Sequence, residues 1–311
     1  MSTFSVTLGE HVEAYLTLRR TLGYSLVKQA AVLRKLVSHV EAEQHEGPLS
    51  SQTVLAFVFS RAATANSRAT CYGVVRRFSE YLAIFDPRTG TLDPKAFPRN
   101  RAIPPPRLLT DDELVRLMAA CRAVSPDYPE RARFLTPIVG LLASTGMRSG
   151  EALRLDRGDA DLAEGVLHIR RTKFRKDRLV PVHPTTLAVL RDYARHRDAT
   201  HPVQDTPAFF VSSRGTRVSP AGLYSAFRAA CRLAGLEQRG RLLRPHDLRH
   251  RFAVTRLAIW HQERADVRAM LPLLATYLGH GLYTDTAYYI TADADLLAMA
   301  AERALAWGAR S

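Results

Sequence analysis

The sequence predicts a mainly α-helical protein with a small antiparallel β-sheet, arranged as two domains. Apolar residues recur at helical spacing in four stripes within residues 1–85. A proline-rich stretch from Asp86 to Pro106 then interrupts the periodicity. Further on, two short β-rich runs, 165–169 and 179–182, flank a polar, cationic turn and predict a β-hairpin.

Residues 1–85 are predicted to form four helices, each burying one apolar stripe. The stripes contain Val12, Tyr15 and Leu16; Leu33, Leu36, Val37 and Val40; Val54, Phe57 and Val58; and Val74, Phe78, Tyr81 and Leu82. The opposite faces are basic and carry Arg19, Arg20, Arg34, Lys35, Arg68, Arg76 and Arg77. Such faces are either solvated or in contact with a phosphate backbone.

The stretch between the two domains is predicted to be a semi-rigid linker, because proline fixes extended backbone and removes hydrogen-bond donors. We place a helical domain at 1–98, the linker at 99–108 and a second domain at 109–311. The second domain begins with a capping box, in which Thr110 is the N-cap residue and Glu113 the reciprocal partner.

The composition indicates a polyanionic partner. The chain has 311 residues, a formal net charge of +14 and a pI near 10.2. This charge is spread along the chain, which is typical of a folded surface facing nucleic acid. A generally basic proteome, or solubility alone, would explain the same number.

The remaining compositional features favour a cytoplasmic protein. Cys71, Cys121 and Cys231 lie far apart and form no CxxC pair, so we expect small buried side chains in a reducing compartment. The N-terminus lacks the pattern of a signal peptide. The longest apolar stretch, residues 134–147, is too short and too polar to span a bilayer.

Two segments of the second domain carry candidate chemistry, and the first is Ser-Thr-Gly-Met-Arg-Ser-Gly-Glu around Arg148. Residues 134–145 are apolar nearly all round and predict a buried helix that delivers Arg148 at its C-terminal turn. Arg148 would serve an anion, or it would be structural and pair with Glu151. We expect Glu151 to hold the helix that carries Arg148.

The second segment is His-Asp-Leu-Arg-His at 246–250. On a helix, His246 and Arg249 project from one face and together form an oxyanion site, since the guanidinium fork fits two phosphate oxygens. His246 and His250 also resemble part of a zinc-peptidase motif with Asp247 in place of glutamate. The fixed charge of Arg249 disfavours a cation there.

These segments belong to an ordered set: Arg148, His246-x-x-Arg249, Leu278-Gly279-His280 and Tyr289. The set resembles the catalytic constellation of the tyrosine recombinase (phage integrase) family, strongly over residues 108–295. The resemblance implies a helical N-terminal core-binding (SAM-like) domain and a mixed α/β catalytic domain. It implies Tyr289 as the nucleophile, with Tyr288 the second candidate.

The resemblance also implies a catalytic lysine on the hairpin, which matches Lys173, with Lys176 the competing candidate. It implies cutting and rejoining of DNA through a 3′-phosphotyrosyl link, without a cofactor or a metal. The expected partners are double-stranded DNA with inverted repeats, a homotetramer formed on that DNA, and accessory or partner recombinases. The expected DNA contacts are Arg19, Arg20, Arg76, Arg77, Arg171, Lys176 and Arg244.

Two other functions remain open: a type IB topoisomerase and a catalytically silent DNA-binding regulator. The chain also departs from the family, because residues 250–279 form a longer connection than we expect between Arg249 and His280. We expect this segment to lengthen a surface loop between helices. Met270, Leu271, Leu273, Leu274 and Leu278 are then predicted to restore helical packing.

Overall fold

The computed structural model describes residues 3–61, 64–97, 107–125, 129–170, 177–203, 206–238, 241–263 and 265–279. The chain divides into two compact units, Met1–Ile103 and Pro104–Ser311. Across the described residues, no helix is both long and apolar enough to cross a membrane. The described secondary structure is mainly helical with a small antiparallel sheet, which confirms the predicted fold class.

The first unit contains the four helices that the apolar stripes predict. They are α1 (Thr3–Thr21), α2 (Val27–Ala42), α3 (Ser51–Ser60) and α4 (Ala65–Leu82). Side-chain caps fix two of the starts: the hydroxyls of Ser50 and Thr64 accept hydrogen bonds from the backbone N–H of Thr53 and Ser67. Residues adjacent in the sequence therefore fix the starts of α3 and α4.

The core of the first unit consists of the predicted stripes. Leu16, Leu33, Val54 and Phe78 are fully buried in one cluster, and Val37 and Tyr81 of the same stripes are partly buried against it. Because apolar surface removed from water drives folding, this cluster is the main source of stability for the unit.

The second unit contains seven helices among its described residues. They are α5 (Asp111–Ala123), α6 (Pro129–Thr145), α7 (Ser149–Arg154), α8 (Pro184–Thr200), α9 (Pro220–Leu233), α10 (Pro245–Gln262) and α11 (Val267–Leu278). The predicted capping box is present: the Thr110 hydroxyl accepts from the Glu113 N–H at 3.2 Å, and the Glu113 carboxylate accepts from the Thr110 N–H at 3.1 Å.

The predicted hairpin is present as β2 (Val166–Ile169) and β3 (Arg178–Pro181), and a short strand β1 (Ala160–Asp161) joins β2 on its other side. All three strands are antiparallel, and Ile169 faces Arg178 in the register. A second pair, β4 (Glu237–Gln238) and β5 (Arg241–Leu242), precedes α10. The sheet therefore sets the position of Arg178.

The core of the second unit forms around α6. Leu135, Ile138, Val139 and Leu142 of this helix are fully buried, and α6 packs against α5, α8, α9 and α10. The prediction of a buried helix is confirmed. The three cysteines are also buried, as expected, and burial raises the pKa of the Cys121 and Cys231 thiols to about 12.

The prediction of a long surface loop after Arg249 is wrong. Helix α10 continues to Gln262 and α11 begins at Val267, so most of the segment is helical. The physical reason is a small apolar cluster in which Ala253 and Leu257 of α10 pack near Leu274 of α11. Leu273, in contrast, is 61% exposed, so its predicted packing is also wrong.

Candidate active site

The connection between α6 and α7 places Arg148 at the edge of a cleft. Helix α6 ends at Thr145, and Gly146 turns the chain with a φ of 62°, in the left-handed region that favours glycine. A Cβ atom at this position would lie 2.4 Å from Cδ1 of Phe252. Arg148 is the N-cap residue of α7. The prediction that it lies in the last turn of α6 is therefore wrong.

Glu151 is the buried acceptor of this site. Its side chain is 1% exposed, and its carboxylate accepts from Arg148 N at 3.0 Å and from Arg148 Nη1 at 2.9 Å. Arg178 of β3 donates to the same carboxylate through Nη2 at 2.8 Å and Nη1 at 3.2 Å. The sequence predicts that Glu151 holds the helix that carries Arg148, and in the structure its carboxylate accepts from the N-cap residue of α7.

The charge of Glu151 is stabilised by these two arginines. Burial alone would raise the pKa of the Glu151 carboxyl, but the hydrogen bonds and charges of Arg178 and Arg148 outweigh it and lower the pKa to about 2. Glu151 is therefore ionised at neutral pH.

Arg249 lies on α10 with a side chain that is almost completely buried, at 1% exposure. Its Nη1 donates to the carbonyl oxygen of Gly146 at 2.8 Å, and its Nη2 donates to that of Leu278 at 2.8 Å. The guanidinium therefore links the α6–α7 turn to the end of α11. His246, one turn earlier on the same helix, is exposed.

The end of α11 brings both arginines together. Gly279 is the C-cap residue of α11, with a φ of 69°, and its carbonyl oxygen accepts from Arg148 Nη2 at 2.8 Å. The Leu278 carbonyl accepts from Arg148 Nη1 at 3.4 Å as well as from Arg249. Two guanidinium groups from distant parts of the sequence thus converge on the residues that immediately precede His280.

His246 is neutral at pH 7. Partial burial, followed by the charges of His250, Arg249 and Arg244, lowers the pKa of the His246 imidazole to about 4. The residue keeps part of its surface in solvent, and its ring packs edge to face against His250, with 4.7 Å between the ring centroids. A neutral imidazole has a nitrogen lone pair that can accept a proton, and the negative charge of a phosphate beside it would raise the lowered pKa toward the range of an effective base.

Asp247 orients the first turn of α10. It is fully buried, and its carboxylate accepts from Arg244 N at 2.8 Å and from Arg244 Nη2 at 3.0 Å. This capping box fixes the first turn of α10, which carries His246. The charge of Arg244 is thereby paired within the protein, although its side chain remains 52% exposed.

A cleft of about 570 Å³ lies beside these groups. Its lining residues are Arg148, Ser149, Gly150, Glu151, Arg154, Tyr224 and His246. Arg249 is not among them. No role was predicted for four residues of this region: Tyr224, Arg154, Ser149 and Arg178. Tyr224 is 43% exposed, and the one sequence signal for it is that an aromatic residue lies on the exposed face of the amphipathic helix α9.

Several predicted site residues lie outside the described residues. They are Lys173, the competing Lys176, Arg171, His280, Tyr289 and the competing Tyr288. Their roles remain predictions.

Two of the four predicted DNA-contacting arginines of the first unit are exposed and two are half-buried. Arg20 and Arg77 are exposed, Arg19 stacks over the ring of Tyr24 at 4.2 Å, and Arg76 pairs with Glu80. Stacking and pairing hold two of these four side chains against the protein. Contact with DNA stays a prediction for all four.

The pairing of Glu151 has a measurable consequence for stability. Because its folded pKa of about 2 lies below the ordinary value of 4.5, the pairing stabilises the protein fully above about pH 5, by an amount on the order of 3 kcal/mol. This stabilisation is lost as the pH falls from about 5 to about 2. The difference in free energy of unfolding between the wild type and Glu151→Gln should shrink over this range, and a constant difference would contradict the pairing.

Comparison with known proteins identifies the family. The model of the phage integrase family matches residues 107–295. The integrase/recombinase y4rE of Sinorhizobium fredii is 57% identical over 98% of both chains, and tyrosine recombinase XerC of Pseudomonas fluorescens is 31% identical over 79% of this chain and 76% of its own. The Tn1549 transposon integrase, solved in complex with transposon right end DNA, has a TM-score of 0.65 and 16% identity over 94% of this chain and 98% of its own. The chain belongs to the phage integrase family and is a tyrosine site-specific recombinase.

Proposed function

We propose that the protein cuts and rejoins double-stranded DNA at a specific site through a 3′-phosphotyrosyl intermediate, in the integration, excision or transposition of a mobile element. The observation that carries this proposal is the convergence of Arg148 and Arg249 on the end of α11, beside a cleft that His246 also lines. A scissile phosphate in this cleft would meet the Arg148 guanidinium and a neutral imidazole. The Arg249 guanidinium, which shares the Leu278 carbonyl with Arg148, would lie next to them.

Charge stabilisation is the first part of the mechanism. In attack on a phosphodiester, negative charge accumulates on the non-bridging oxygens, and fixed guanidinium donors stabilise it. Arg148 and Arg249 now donate to the carbonyls of Gly279 and Leu278. A charged phosphate oxygen is a stronger acceptor than a carbonyl, so each arginine would exchange a carbonyl for the phosphate when DNA binds.

Proton transfer is the second part. The Tyr289 hydroxyl would attack phosphorus and give up its proton, and His246, which is neutral at pH 7, is a candidate to accept it. The bond between phosphorus and the 5′-oxygen then breaks, and Lys173 would donate a proton to that oxygen. A 5′-hydroxyl and a phosphotyrosyl ester result.

The phosphotyrosyl ester keeps the free energy of the original phosphodiester. A 5′-hydroxyl from another strand can therefore attack it, release Tyr289 and restore a continuous backbone. No nucleotide hydrolysis is required by this sequence of steps, and the chain contains no Walker-type phosphate-binding loop. Strand exchange between two sites would involve four protomers, which is the reason to propose a homotetramer on inverted-repeat DNA.

Covalent capture tests the proposed function. The protein would be incubated with sheared, nicked genomic DNA of its source organism, denatured, and the DNA linked to protein would be sequenced. We expect one family of duplexes with inverted repeats, linked through a 3′-phosphate. Capture of no covalent adduct, or of adducts without a common sequence, would overturn the proposal.

The same captured duplex tests metal independence. The proposed mechanism uses arginine and lysine where other nucleases use divalent cations, so excess EDTA should leave the cleavage rate unchanged. A strict requirement for a divalent ion would be incompatible with this mechanism.

Lys173 is expected to act as the general acid. A Lys173→Ala variant should bind the captured duplex nearly as well as the wild type but cleave it about 100-fold more slowly, the usual size of a general-acid contribution. A bridging 5′-phosphorothiolate should restore the rate, because sulfur leaves without a proton. Lys176→Ala is the matched control, and rescue of that variant in place of Lys173→Ala would assign the general acid to Lys176.

A further inference from the structure

Arg178 shares the carboxylate that holds Arg148. It is the first residue of β3, its side chain is 11% exposed, and it forms a two-pronged pair with Glu151 at 2.8 and 3.2 Å. Pairing of Arg178 with Ile169 in the hairpin register fixes the backbone from which the side chain extends. The contact is therefore set by the sheet.

Arg178 changes the net charge of the group of side chains that holds Arg148. Arg148 and Glu151 alone would form a neutral buried pair, in which the carboxylate cancels the charge that a phosphate needs. With Arg178 on the same carboxylate, the group of Arg148, Glu151 and Arg178 carries a net charge of +1. Glu151 can then fix the geometry of Arg148 without neutralising the site.

Arg178 also reaches the end of α11. A Cβ atom added at Gly279 would lie 2.9 Å from Arg178 Nη1 and 3.5 Å from Arg148 Nη1. Arg148 Nη2 donates to the Gly279 carbonyl in the same place. Arg178 therefore packs against both the carboxylate and the glycine that orient the Arg148 guanidinium.

We propose that Arg178 is a positioning residue for DNA cleavage, which holds Arg148 in place and preserves its positive charge for the scissile phosphate through their shared carboxylate, Glu151. This inference rests on the proposed function of Arg148. Arg178 itself does not line the cleft and need not touch DNA.

The test compares two substrates in the captured, nicked duplex: the ordinary scissile phosphate and a methylphosphonate in which one non-bridging oxygen is a methyl group. Release of the 5′-hydroxyl strand is measured for the wild type, Arg148→Ala, Arg178→Met and Arg178→Lys. On the phosphate, Arg178→Met should cleave about 100-fold more slowly, since misplacing a group by about 1 Å costs that much. Arg178→Lys keeps the charge but not the fork, so its loss should be smaller.

On the methylphosphonate, the cleavage rates of the variants relative to the wild type should differ from those on the phosphate. One of its two stereoisomers lacks the oxygen that Arg148 contacts, so loss of Arg148 should matter little there. The defect of Arg178→Met should shrink with the same stereoisomer, because Arg178 acts through Arg148. A merely structural role would reduce cleavage of both substrates equally, and that result would overturn the inference.

Arg197→Met is the matched control for lost stability. Arg197 is 5% exposed and also forms a two-pronged carboxylate pair, with Asp198 at 2.8 and 3.1 Å, but it does not line the cleft. Its variant should show any general loss of stability without dependence on the substrate. If Arg178→Met does not fold, Arg178→Lys carries the same comparison.

The outcomes separate this inference from the proposed function. If the wild type forms no covalent adduct, or Arg148→Ala cleaves the phosphate normally, the proposed function fails. If the wild type cleaves, Arg148→Ala is defective and Arg178→Met is normal, only the positioning role of Arg178 is overturned.

Discussion

Replacing Tyr289 by phenylalanine is expected to abolish the covalent link between protein and DNA while leaving DNA binding intact. The substitution removes only the phenolic oxygen, which is the proposed nucleophile, and keeps the aromatic ring. Denaturing electrophoresis of the captured, nicked duplex would show the adduct as a slowly migrating band. For Tyr289→Phe this band should be absent, whereas a gel-shift assay should give wild-type affinity.

Tyr288→Phe is the matched control, since it removes the same atom from the adjacent position, and Tyr283→Phe does so at a further tyrosine of the same stretch of sequence. Both variants should keep the adduct. If the adduct persisted in Tyr289→Phe and vanished in Tyr288→Phe, the nucleophile would be Tyr288. Mass spectrometry of the peptide that carries the nucleotide would identify the modified residue independently of any loss of folding.

The fold could be predicted from the sequence where its signals are local. Apolar spacing identified α1 to α4, because each helix buries one face and the spacing records which face that is. Thr110 and Glu113 marked the start of α5 for the same reason, since a capping box closes within four residues. The buried helix α6 was evident because nearly every residue from 134 to 145 is apolar or small.

Predictions failed where packing between distant residues decides the structure. The extension of α10 to Gln262 depends on an apolar cluster that contains Leu257 of α10 and Leu274 of α11, and a single sequence does not show that packing. The position of Arg148 depends on the turn at Gly146, where Phe252 of α10 leaves no room for a side chain. A glycine near an arginine does not reveal which helix the arginine joins.

The candidate site shows the same division. Residue types and their order pointed to Arg148, His246 and Arg249, because anion binding needs those side chains. That Arg178 shares Glu151 with Arg148 follows from a hairpin register and from the burial of a carboxylate, both of which are tertiary features. The exposure of Tyr224 beside the cleft likewise depends on how α9 packs.

Replacing Arg249 by alanine is expected to lower the cleavage rate by about 100- to 1000-fold, the range seen when one donor to a developing oxyanion is removed. It should also lower the free energy of unfolding by roughly 3 kcal/mol, because the carbonyls of Gly146 and Leu278 would lose a buried donor. Thermal unfolding of the variant, with Arg197→Met for comparison, gives the temperature below which cleavage can be measured on folded protein.

The substrate analogues then show how Arg249 acts. If Arg249 stabilises charge on a non-bridging oxygen, the difference in cleavage rate between Arg249→Ala and the wild type should shrink on one methylphosphonate stereoisomer. The difference for Arg148→Ala should shrink on the other stereoisomer. The 5′-phosphorothiolate should not restore it, because the leaving group is not the deficiency. Arg249→Lys keeps a positive charge but cannot bridge Gly146 and Leu278 with a planar fork, so its rate should fall between the wild type and the alanine variant. Rescue of Arg249→Ala by the phosphorothiolate would instead place Arg249 on the side of the leaving oxygen, with the role now proposed for Lys173.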